Sequence, residues 1–210
     1  MPVSALHLFP EEMSASQVYD LLVTAVQPRP IALVSTVCAE GLPNLAPFSF
    51  FTIGGVNPPS VVFSPVLGSG GTPKHSLMNV EATGEFVVNT VTRAMAEAMN
   101  AASGTYPRDQ SEWGITGLTP EPSMRVRPAR VAESPVQFEC RLFQVVRHGS
   151  GPGSAAYVIG EVLAAHVQPE LWTETGLDGE AYRPISRLGG PHYFDLALQE
   201  FFAMERPTPK

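Results

Sequence analysis

Asn44-Leu45-Ala46-Pro47-Phe48-Ser49-Phe50-Phe51 is the stretch on which the fold turns. Its aliphatic and aromatic residues, continued through Thr52 and Ile53, are those of a β-strand, yet a proline stands in the middle. Proline has no N–H to give a sheet ladder. Ala46-Pro47 must therefore lie at an edge or a bulge, where backbone groups are free to face something other than a neighbouring strand.

Working outward, residues 31–37 form a β-branched run on one side, and residues 60–63 a short apolar run bounded by prolines on the other. Glu40-Gly41 before Leu42, and Asn57-Pro58-Pro59 before Ser60, carry turn chemistry that suits antiparallel connections. Further along, Val136, Phe138, Cys140 and Leu142 alternate with polar residues, and then Phe143 and Val145 shift the apolar phase by one. That shift predicts a bulge in a long strand with one buried face. Residues 148–154 read as a glycine-rich hairpin loop, residues 156–167 as the return strand, and residues 86–91 as a further strand.

Helices are fewer. Val18, Leu21, Leu22 and Ala25 recur at helical spacing behind Ser14, which can cap them, and Pro28 and Pro30 end that helix. Thr72-Pro73 reads as an N-cap followed by proline, opening a helix that stops near Gly84; Met95, Ala98 and Met99 mark a third, over residues 94–102. Residues 106–128 are spotted with proline and glycine and are expected to wander over the surface, and the tail from 205 to 210 is expected to be mobile. Paired strands without βαβ alternation favour a mainly β antiparallel barrel with short flanking helices over a doubly wound sheet.

With 210 residues, 44% hydrophobic and 16% charged, the chain has the composition of one globular domain. Thirteen basic against 20 acidic residues give a net charge of −7, which repels polyanions and argues against a nucleic-acid partner. Cys38 and Cys140 sit in apolar runs without partners at metal-ligand spacing, so neither a disulfide framework nor a zinc site is expected. The sequence shows neither a secretory leader nor a long apolar span, so a cytoplasmic protein without membrane contact is expected.

The clearest chemical signal is Gly68-Ser69-Gly70-Gly71-Thr72-Pro73-Lys74-His75-Ser76. A glycine-rich loop runs into a helix start that carries a lysine and hydroxyls, a composition that suits an anion: first-turn amides and the helix dipole attract a phosphate, and Lys74 and Ser76 add a charge and a donor. It is not a Walker motif, and the same residues also compose an ordinary capped surface helix. Ser35-Thr36 and the 44–51 stretch bring hydroxyls, a kinked backbone and aromatics into neighbouring elements, a surface suited to a planar ring with polar edges. Phe50 and Phe51 read as core. No acid pair, Ser-His-Asp order or activated cysteine can be argued from spacing, so no dedicated acid or base is expected.

Arg29-Pro30-Ile31-Ala32-Leu33-Val34-Ser35-Thr36, followed by the 44–51 stretch, resembles the flavin reductase-like, FMN-binding split-barrel family, the flavoredoxin type. Pro59 to Ser64, Lys74-His75-Ser76 through Gly84 to Asn89, and Pro184-Ile185-Ser186-Arg187-Leu188-Gly189-Gly190 to Tyr193 follow in the family's order, so the likeness runs from about residue 18 to 196 of a single domain. The resemblance implies a six-stranded Greek-key split barrel that dimerises with FMN near the subunit interface. It places Ser35, Thr36, Asn44, Ala46, Pro47, Phe48 and Ser49 around the isoalloxazine and ribityl chain, and Ser64, Lys74, His75 and Ser76 toward the phosphate, with Arg187 as an added cofactor contact. Lys74-His75-Ser76 stands where many relatives have Lys-Asp-Thr. Asn100 and Ser103 read as helix-end caps in a place that approaches the flavin in some relatives. The implied activity is an NAD(P)H-dependent flavin reductase, with NADH or NADPH docking transiently because no Gly-x-Gly-x-x-Gly fingerprint is present. A non-enzymatic FMN electron carrier is the alternative.

Overall fold

The computed structural model describes residues 5–196, so the expected mobile tail at 205–210 lies outside the described residues. In chain order the elements are α1 (Ala15–Ala25), β1 (Arg29–Pro30), β2 (Ala32–Val37), β3 (Pro43–Phe48), β4 (Phe51–Val56), β5 (Pro59–Phe63), α2 (His75–Thr83) and β6 (Glu85–Asn89). Then come α3 (Ala96–Ala101), α4 (Trp113–Thr116), β7 (Pro120–Glu121), β8 (Arg130–Val131), β9 (Val136–His148), β10 (Ala155–Val167), β11 (Trp172–Thr173), β12 (Gly176–Leu177), β13 (Ile185–Arg187) and β14 (Tyr193–Asp195). None of the described helices is long and apolar enough to cross a membrane.

The main sheet is antiparallel with the order β3-β2-β6-β9-β10-β5-β4. Its two edge strands, β3 and β4, are consecutive in the chain and separated only by Ser49 and Phe50. Two residues span at most about 7 Å, so the sheet must curl until its edges meet, and the architecture is a barrel. Residues 44–53, expected as one strand, are thus two. The strand leaves its ladder at Ser49-Phe50 because it serves both edges, and a strand cannot change sheet edge without a corner. Ser64 N donates to Phe50 O at 2.8 Å and holds the corner. Taken as one bent strand, β3 and β4 give the six strands expected.

β9 and β10 pair over their length with two register shifts. Leu142 faces Gly160 and Gln144 faces Ile159, so Phe143 is the bulged residue, at the position where the apolar phase changes in the sequence.

β2 is buried on both faces, and its alternation separates two cores. Ala32 and Val34 point into the barrel with Phe63, Phe86, Cys140 and Val158. Ile31 and Leu33 point outward, beneath Met95 and Met99 of the α3 region, with Leu118 and Val131. α2 adds Leu77 and Val80 to the inner core, so this helix plugs the barrel and the direction of its axis is set by packing. Gly160 makes room for the Phe86 ring: a Cβ there would lie 2.2 Å from Phe86 Cζ.

Residues 106–128, expected to wander, are fastened down. Cys140 faces the barrel interior, so Glu139 faces outward on β9, where its fully buried carboxylate accepts from the amides of Met124, Arg125 and Val126 and meets His166 Nε2 at 2.6 Å. Burial works against the charge, but the Met124 and Arg125 amides and His166 outweigh it and hold the Glu139 carboxyl below its usual 4.5. Sequence reading missed this because the tie runs between segments 13 to 15 residues apart with no local pattern.

Two measurements test this account. Gly160→Ala should destabilise the fold by about 1–3 kcal/mol in urea titrations, as overpacking does, and Phe86→Leu in the same chain should recover part of the loss. Glu139 has a lower pKa folded than unfolded, so its stabilisation is present above the ordinary carboxylate range and is lost as pH falls through the folded value. Glu139→Gln should cost about 2–3 kcal/mol at pH 7 and lose less of its stability than the parent chain between pH 5 and pH 3.

Candidate functional site

The loop before α2 is closed on itself. Gly68 N donates to Thr72 O at 2.8 Å, Gly71 N to Gly68 O at 3.0 Å, and Thr72 Oγ1 to Ser69 O at 3.1 Å. Gly70 and Gly71 take φ of +73° and +74°, and a Cβ on Gly71 would lie 2.8 Å from Ser150 O. Thr72 is therefore committed to the loop and does not cap the helix as its sequence suggests. α2 begins at His75 behind Lys74, which makes no side-chain capping bond. The amides of the first turn have no intrahelical acceptor, and the positive end of the dipole is added to the Lys74 ammonium.

This helix start opens on a cleft of about 660 Å³. The loop lines one side through Gly68, Ser69 and Thr72, Lys74, His75 and Ser76 line its head, and Asn44, Ala46, Pro47 and Phe48 of β3 line another side. Segment 102–106 and Glu112 complete it. Ser76 is buried and its Oγ accepts from Asn44 Nδ2 at 3.0 Å, which ties the helix start to β3.

β3 gives the cleft an unusual rim. Leu45 N turns away from β2 and donates to Glu112 Oε2 at 2.9 Å, so residues 43, 45 and 47 are the ones whose backbone groups face outward. Pro43 and Pro47 carry no N–H, and Glu112 occupies that of Leu45. Over residues 43–47 these outward backbone positions therefore carry no free donor, and of residues 43, 45 and 47 it is Pro47 that lines the cleft. Glu112, 6% exposed, was not found from sequence, because its partner lies 67 residues away.

A smaller pocket of about 290 Å³ adjoins the cleft and shares Pro47, Phe48 and Ser103 with it. Ser49 and Arg187 line this pocket, as do Asn100 and Tyr193. The structure thus brings Asn44, Ala46, Pro47, Phe48, Lys74, His75 and Ser76 together in one cleft and puts Ser49 and Arg187 beside it. Ser103 Oγ also donates to Asn100 O at 2.6 Å, so the capping geometry read from sequence and a place in the pocket coexist. Ser35 and Thr36 do not line either space. Both are buried in β2: Ser35 Oγ donates to Ala129 O, and Thr36 Oγ1 accepts from Asn79 Nδ2 at 3.0 Å, linking β2 to α2. Ser64 is also buried off the cleft, and its Oγ has no hydrogen-bond partner among the described residues.

Comparison with known proteins identifies the family. Residues 25–186 match the family described as flavin reductase like domain. An uncharacterized protein of Halalkalibacterium halodurans is 38% identical over 205 residues, covering 97% of each chain. Among solved structures, component B of nitrilotriacetate monooxygenase from Bacillus cereus superposes with a TM-score of 0.90 at 32% identity, over 96% of this chain and all of that one. The 2-nitrobenzoate 2-nitroreductase of Pseudomonas fluorescens gives 0.86 at 29% identity, over 98% and 99%.

Proposed function

The chain belongs to the flavin reductase-like family and is a flavin-dependent oxidoreductase, and we propose that its flavin is FMN, held in the 660 Å³ cleft and reduced by NADH or NADPH. The observation that carries the choice of FMN is the uncapped start of α2 with Lys74 at the head of the cleft, a seat for one terminal phosphate. The first-turn amides, Lys74 and Ser76 bind that phosphate, with His75 beside it. Asn44 keeps Ser76 in place through their hydrogen bond. The Pro47 carbonyl, on the donor-free side of β3, would accept from the ring's N–H group, and Ala46, Pro47, Phe48 and Ser49 would shield the ring from water. Ser35 and Thr36 support this surface from behind through Ala129 and Asn79.

When bound, the flavin supplies the hydride acceptor and the outgoing electrons, and the chain supplies position and electrostatics. A monooxygenase component and a nitroreductase among the similar structures fit an enzyme that hands electrons onward to an acceptor.

The active unit in this reading is a cytoplasmic homodimer, binding neither nucleic acid nor membrane. Ile53 and Val56 on β4 are 78% and 89% exposed, and Leu22 and Val26 lie exposed along α1; a second copy covering such surfaces would bury apolar area that water otherwise meets.

Titration decides the cofactor. FMN should bind with a yellow chromophore and perturbed absorbance, and Lys74→Ala should weaken FMN at least about tenfold while leaving riboflavin, which has no phosphate, within about twofold. Equal losses for both flavins would remove the phosphate from α2. Anaerobic NADH or NADPH should bleach the bound flavin, and sustained turnover with an acceptor separates a reductase from a passive carrier; no bleaching with either donor would defeat the pyridine-nucleotide part.

A further inference from the structure

The 290 Å³ pocket differs in chemistry from the cleft it adjoins. Its cation is Arg187, whose Nη2 donates to Gly190 O at 2.7 Å and whose guanidinium lies 4.5 Å from the centre of the Tyr193 ring. Carbonyl and ring hold the guanidinium in one place, which prepares it to receive an anion. Tyr193 Oη in turn reaches Asn100 Oδ1 at 3.5 Å, and Tyr19 of α1 contributes another aromatic wall. Ile31 and Met99, both buried, supply apolar surface.

Arg187 is the charged side chain among the residues lining this pocket. Arg29 faces Arg187 across the β1–β13 pair and donates to the carbonyls of Val23, Val26 and Leu188. Burial pulls the Arg29 pKa down and the Arg187 charge pulls it further, against Tyr19. An anion placed on Arg187 would relieve that repulsion.

Size narrows the occupant. A space of 290 Å³ is at the small end of ligand cavities, wide enough for one substituted ring and too small for a dinucleotide. From these walls we infer that the pocket binds a one-ring aromatic acid, its carboxylate on Arg187 and its ring against Tyr193 and Tyr19. Arg187 is then a residue of this second site and not of the cofactor's phosphate, which lies at the other pole of the cleft with Lys74. The inference rests on the flavin reading only for what the ring lies beside; the recognition belongs to the pocket's own residues.

Calorimetric titration of the FMN-loaded protein with benzoate tests it, with benzamide and nicotinamide as rings of similar size without the charge. Benzoate should bind at least about tenfold more tightly than either amide, Arg187→Gln should erase that preference, and Arg187→Lys should retain part of it. Melting temperature should stay close to the parent value in both variants, and any loss of FMN affinity should be smaller than the loss for benzoate. Equal binding of benzoate and benzamide, benzoate binding untouched by Arg187→Gln, or an equal loss of FMN affinity in that variant would each overturn the assignment. If FMN itself does not bind, the flavin reading fails, and the same benzoate titration of the chain alone still decides the pocket.

Discussion

Ser49 and Phe50 are all that separates the two edges of a seven-stranded sheet, and the rest of the molecule follows from that short connection. Because the edges must meet there, the sheet is a barrel with an interior. Because it has an interior, Leu77 and Val80 can plug it, and α2 is thereby aimed with its first turn beside β3. The Ser76–Asn44 hydrogen bond joins the two elements at the point of contact. A helix start and a strand edge that are distant in sequence become two sides of one cleft by closure of the sheet, with no element dedicated to bringing them together.

Two buried carboxylates show how the long connection after α3 was recruited to this frame. Glu112 satisfies an outward amide of β3, and Glu139 collects the amides of Met124, Arg125 and Val126. In both cases an acid that would cost energy in a dry environment is held by backbone donors, and those donors would be orphaned without it. The connection is irregular in conformation and yet fixed in position. Its 102–106 segment can therefore form a wall of the cleft.

What could be read from the residues depended on how local the determinant was. The edge position of Pro47 follows from its missing N–H, the bulge at Phe143 from a change of apolar phase, and the end of α2 at Gly84 from a left-handed cap with φ of +73°. The corner at Ser49 was not legible, since strand-forming residues continue on both sides of it. The start of α2 was displaced by two residues because Thr72 has two competing uses, and Gly68 and Ser69 claim it first. In the site, residues sharing a strand or helix start with the motif were found together, whereas Glu112 was invisible and the hydroxyls of Ser35 and Thr36 turned toward other elements. Side-chain direction in a strand buried on both faces is not encoded by composition, because both faces look apolar.

The donor-free rim of β3 has a bearing on the life of the protein between ligands. An exposed strand edge beside an open groove would normally template the addition of another chain's strand, the first step toward fibrils and swapped assemblies. Here Pro43 and Pro47 remove two amides, and Glu112 covers the third at the fully buried Leu45, so β3 gives an incoming strand no donor over residues 43–47. The binding edge can stay accessible to a small molecule while remaining a poor seed for self-association through strands.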